Sequence, residues 1–103
     1  MYVTTKMQTR KAVDIPFYFE KHSLTQDYKD YVYTKFIEPK KLLFSDTVYS
    51  DDKLSMTKTT GWSSRDAFLE FTSDTYCYNT VIDPVREYDI ANEITADIEI
   101  RED

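Results

Sequence analysis

Thr59-Thr60-Gly61-Trp62-Ser63-Ser64-Arg65-Asp66-Ala67-Phe68-Leu69-Glu70-Phe71 is the stretch whose reading decides the fold. Leading into it, Leu54, Met56, Lys58, Thr60 and Trp62 alternate with Ser55, Thr57 and Thr59, the period of a strand. Directly after Trp62 the signals change. Ser63 stands three residues before Asp66, an N-cap hydroxyl with an acid in the first turn to complement the helix dipole. Ala67, Phe68 and Phe71, with Tyr76 beyond, give the helix an apolar side. A strand therefore runs straight into a helix through the chain's only glycine and only tryptophan.

Upstream, Leu43, Ser45, Thr47 and Tyr49 alternate with Phe44, Asp46 and Val48, and the polar turn Ser50-Asp51-Asp52-Lys53 joins this run to the next as an antiparallel hairpin. Further back, Val3, Thr5, Met7 and Thr9 alternate with Thr4, Lys6, Gln8 and Arg10, a half-buried strand that Asp14-Ile15-Pro16 interrupts. Phe17 to His22 is aromatic without a clean period and reads as a short helical turn or packed loop. Ser23 and Gln26 have capping-box spacing, with Thr25 as the alternative cap, and Tyr28, Tyr31, Val32, Phe36 and Ile37 form a helical stripe that Pro39 ends. Downstream, Ser73-Asp74 ends or kinks the second helix, and Asp83-Pro84 signals a new helical start. Ile94, Ala96, Ile98 and Ile100 then give the clearest strand pattern in the chain.

The order β-α-β-β-α-β predicts an α+β, ferredoxin-like fold over residues 1–103: one four-stranded antiparallel sheet with two helices on one face. The strand faces bearing Phe44, Val48, Thr57 and Thr59 are too apolar or β-branched for an ordinary solvated surface. Packing sheet against sheet in a homodimer would cover them.

A chain of 103 residues supports one domain with a modest core, and 41% hydrophobic and 16% aromatic content is too apolar for disorder. The apolar runs are too short to span a membrane, and the first residues lack the pattern of a signal peptide. Lone Cys77 can form neither an internal disulfide nor a thiolate metal site, which points to a reducing, cytoplasmic setting. The net charge of −6 argues against nucleic acid as a partner. Gly61 stands alone, so no glycine-rich phosphate loop exists.

Trp62-Ser63-Ser64-Arg65-Asp66-Ala67-Phe68-Leu69-Glu70-Phe71, followed by Ser73-Asp74, resembles the antibiotic-biosynthesis-monooxygenase-like group of dimeric α/β barrels. That pattern has a tryptophan ending the third strand, then a serine, an alanine-aromatic pair, a second aromatic and a Ser-Asp step. The resemblance covers nearly the whole chain in element order. It implies a dimer made by packing two sheets face to face. Its members include cofactor-independent oxygenases of polycyclic phenols, haem-degrading enzymes and small proteins without assigned chemistry. The haem-degrading pattern wants a tryptophan and a histidine where this chain holds Phe71 and Thr80, and neither ligates iron as imidazole does. The first strand also lacks the asparagine of several active members. No cofactor is expected.

His22 is the one imidazole and has no partner at metal-ligand spacing, so no metal site is expected. Trp62 reads first as a core anchor and second as a pocket wall. Cys77 lies between two tyrosines as a quiet thiol. No residue is assigned a catalytic role. The expected ligand-binding residues are His22, Trp62, Phe71 and Tyr76, with Phe17, Phe19 and Phe68 as further walls of a cavity between sheet and helices suited to a flat apolar molecule. The preferred reading is a small homodimer binding such a ligand or a protein partner. The alternative is a cofactor-independent monooxygenase acting on a phenol, with His22 or a tyrosine as base. A third reading has the acidic stretch 83–103 engaging a basic surface.

Overall fold

The computed structural model describes all 103 residues. Strand β1 (Tyr2–Thr9) is followed by a helical turn α1 (Tyr18–Lys21) and by α2 (Gln26–Val32), which continues as a π-helical turn (Tyr33–Ile37). The hairpin β2 (Leu42–Tyr49) and β3 (Ser55–Trp62) leads into α3 (Arg65–Ser73). A second helical arm runs as α4 (Thr75–Cys77), a π-helical turn (Tyr78–Ile82) and α5 (Asp83–Ala91), and the chain closes with β4 (Thr95–Glu102). The strands form one antiparallel sheet in the order β2-β3-β1-β4. This is the expected ferredoxin-like arrangement. No helix is long and apolar enough to cross a membrane.

Two local readings are corrected. The cap of α3 is Ser64, whose Oγ accepts the Ala67 N–H; Ser63 still belongs to the strand ladder, its N–H donating to Lys41 O at 2.9 Å. The cap of α2 is Thr25, accepting from Tyr28 N–H, rather than Ser23. Asp83-Pro84 opens α5 as expected, although no extended break precedes it. The wide turn Tyr78–Ile82 runs directly into α5, so Pro84 falls in a first turn, where its missing N–H costs little.

A bulge makes a third difference. Leu42 pairs with Trp62 and Phe44 with Gly61, leaving Leu43 as the extra residue. Leu42 thereby joins the core with Trp62 and Phe71, while Leu43 is exposed.

The core consists of three patches. Tyr28, Val32, Phe36 and Cys77 pack the two helical arms together. Tyr2, Trp62 and Ala67, with Phe68 and Phe71, hold α3 to one end of the sheet. Phe17, Met56 and Ile94, with Tyr49 and Tyr88, seal the other end. Arg10 is buried beside this last patch, its guanidinium 4.4 Å over the Phe17 ring and donating to Lys53 O, Ile15 O and Glu20 Oε1. Glu20 also accepts from Phe17 N–H and Tyr49 O–H, which fixes α1 against the sheet.

Candidate functional site between sheet and helices

Strand register sorts the helix-facing side of the sheet into four rows. Leu42, Trp62, Tyr2 and Glu102 form the first; Ser45, Thr60, Thr4 and Ile100 the second. Thr47, Lys58, Lys6 and Ile98 form the third, and Tyr49, Met56, Gln8 and Ala96 the fourth. The first and last rows lie under the aromatic patches. The middle two carry threonine, lysine and exposed isoleucine instead. On β1 the more polar side of the strand is the one turned toward the helices, while Val3, Thr5 and Met7 face outward.

The polar groups at this level are individually satisfied, with two exceptions. Trp62 Nε1–H donates to Thr4 Oγ1 at 3.2 Å, and Gln8 Nε2–H donates to Asp89 Oδ2 at 2.7 Å from α5. Asp89 Oδ1 is buried and has no partner, which makes a sizeable desolvation cost. Burial pushes the Asp89 carboxyl up, against the Gln8 hydrogen bond and the Lys6 charge.

The second exception is the cross-strand pair Lys6 and Lys58, for which the structure shows no ion pair. Lys58 keeps contact with solvent although surrounding protein atoms desolvate its ammonium enough to lower its pKa, with the Lys6 charge adding to the effect. Lys58 stands on the open middle of the helix-facing side, beside α1. Its Nζ is 5.8 Å from the Phe19 ring centre.

Phe19 also belongs to a neighbouring pocket of about 220 Å³, lined by Tyr18, Phe19, His22, Ser23, Leu24, Thr25, Tyr28, Thr80 and Val81. Thr80 and Val81 come from the second π-helical turn, which opens one helical arm beside α1. A larger hollow of about 390 Å³ lies across Val3, Thr5, Glu99, Ile100 and Arg101. No aromatic side chain lines it, so the Phe19 pocket is the better candidate for an apolar ligand.

The expected site residues do not form one constellation. Trp62 and Phe71 meet at 5.2 Å between ring centres, with Phe68 edge-on to the indole at 5.6 Å. Phe17 and Trp62 are fully packed and belong to different core patches. Tyr76 lies against Tyr28 and Tyr31 on the helical layer. His22 stacks on Tyr18 at 4.6 Å and meets the Tyr88 ring edge-on. Of the expected wall residues, only His22 and Phe19 line the pocket. Lys6, Gln8, Lys58 and Asp89 were missed. Their signal, polar residues in step on one side of two strands, becomes legible only once β1 is known to pair with β3.

The fold defines the class, a ferredoxin-like α+β arrangement of one antiparallel sheet and its helices. The particular resemblances follow. No family model matches the sequence, and no curated protein matches it. A protein from Deinococcus radiodurans provisionally named an antibiotic biosynthesis monooxygenase superposes over 100% of this chain and 92% of its own, with TM-score 0.65 and 11% identity. A dimeric ferredoxin-like protein from an uncultured marine organism superposes over 98% and 91%, with TM-score 0.60 and 10% identity. A monooxygenase from Streptomyces coelicolor, solved with the ligand nanaomycin D, covers 99% of this chain and 88% of its own, with TM-score 0.50 and 11% identity. Identity this low establishes a shared fold alone.

Proposed function

We propose that the protein is a homodimer that binds a small ligand with an apolar or aromatic body between its sheet and its helices. The observation that carries this reading is the incomplete filling of that layer. Both ends are packed with aromatics, yet Lys58, Ile98 and Ile100 between them stay accessible and the Phe19 pocket lies alongside. The homodimer rests on the outer face, where Met7, Phe44 and Val48 are exposed among the threonines of β1 and β3, and on the dimeric neighbour of the same fold.

Titration with a flat aromatic probe, 2-naphthol, tests the ligand reading, with emission from the single tryptophan as readout. Saturable quenching that weakens in Phe19→Ala is expected. Absence of saturation at millimolar probe in the folded wild type would overturn it.

A second reading, a cofactor-independent monooxygenase of a phenolic substrate, is favoured by one placement: His22 lines the pocket beside Phe19 and Tyr28. In that reading His22 accepts the phenol proton and the phenolate supplies electrons to oxygen. Oxygen uptake with a polyphenol panel that is unchanged in His22→Ala would sink it.

A further inference from the structure

We propose that the ligand of this site is an organic anion, a carboxylate on a flat apolar body, whose charged group sits between Lys6 and Lys58. The inference rests on the ligand reading above and specifies its chemistry. The register places these lysines directly opposite each other on the two central strands, on the side facing the helices. Like charges so placed repel and destabilise the sheet. No carboxylate lies within ion-pairing distance of either, although the chain has nineteen acidic residues against thirteen basic ones.

The acid whose charge acts on Lys6 is Asp89, and one of its oxygens is already held by Gln8. One carboxyl against two ammonium groups leaves the site net positive, and an anion of matching size supplies the missing partner. Phosphate is the poorer fit. The site offers no glycine-rich turn of backbone N–H groups, and the only glycine lies on β3 in the outward-facing row. Phe19, Ile98 and Ile100 give an anion with an apolar body surfaces to lie against. Two lysines without a fork geometry bind a carboxylate as point charges, so the apolar contacts set the orientation.

The test compares 2-naphthoate with its neutral relative 2-naphthol at neutral pH, read by Trp62 emission and calorimetry on the full chain. Naphthoate should bind at least about tenfold more tightly, the effect of one charge-assisted contact. Lys6→Met and Lys58→Met should each remove most of that preference, read as the ratio of naphthoate to naphthol affinity within each variant. Both variants should keep the wild-type circular dichroism and melt no lower, because each relieves a like-charge contact. Equal affinity for the two probes would overturn the anion assignment and leave the ligand reading standing. Binding of neither would overturn both. Inorganic phosphate competing as well as naphthoate would show that charge alone is recognised and would reject the apolar carboxylate.

Discussion

The ring of Phe44 on β2 lies over the backbone of Gly61 on β3, so close that a Cβ built at Gly61 would stand 2.2 Å from Phe44 Cε1. The bulge at Leu43 brings Phe44 into this register, and the missing side chain gives the ring its seat. Gly61→Ala should therefore cost about 1–2 kcal/mol, because the ring must swing toward solvent. Most of that cost should vanish when Phe44→Ala is made first. Chemical denaturation of the four members of this cycle checks it, and additive effects would mean the ring does not set the need for glycine.

Asp74 caps α4 by accepting the Cys77 N–H at 2.9 Å, and its other oxygen receives Tyr31 O–H from α2 and the Lys35 ammonium from the π-helical turn that continues it. Burial alone would push this carboxyl up. The hydrogen bonds from Lys35, Tyr31 and Cys77 outweigh it and hold Asp74 well below the usual carboxylate range. A depressed native pKa gives stability that is complete above the unfolded-state value and is lost as pH falls through the native one. Wild type should thus lose stability relative to Asp74→Asn as pH drops below about 4. At neutral pH, Asp74→Ala should cost about 2–3 kcal/mol, the loss of a cap plus a tie between helical arms. Urea melts across pH provide the check.

Cys77 is fully buried among Tyr28, Val32 and Phe36, and burial, with Asp74 nearby, pushes its thiol up to about 11 despite the Tyr28 hydrogen bond. Thiol reagents should label native protein at mildly alkaline pH only as fast as the structure opens. The labelling rate should accelerate in parallel with the destabilisation of Asp74→Ala. A fast native rate that ignores stability would contradict this placement.

The proposed sheet-to-sheet dimer puts Met7 near its centre, between Thr57 and Asp97 on the outer face. Met7→Glu should yield a folded monomer at tens of micromolar by light scattering, since an unpaired carboxylate would be buried beside acidic neighbours. A variant that remains dimeric would place the interface elsewhere, and a monomeric wild type would remove the dimer altogether.

The layout of four strands and two helical arms was legible in the chain because period two and period 3.6 are local properties, visible in runs such as Ile94–Ile100 and Tyr28–Ile37. Caps were less legible: Ser63 and Ser64 both carry the hydroxyl, and where the strand gives way to the helix decides between them. The helix start at Asp83-Pro84 was legible, but the wide turn that runs into it without a break was not.

The strand alternation from Thr59 to Trp62 and the helix beyond it were determined by sequence alone, as was the apolar pattern of the outward-facing threonines and valines. Which side of β1 lies beneath the helices was decided by the tertiary structure, and so was the meeting of Lys6 with Lys58. The physical reason is that residues fifty positions apart become neighbours through strand register, and register is fixed by the packing of Trp62, Tyr2, Met56 and Phe17 at the two ends of the sheet. The lysines are carried into place between them.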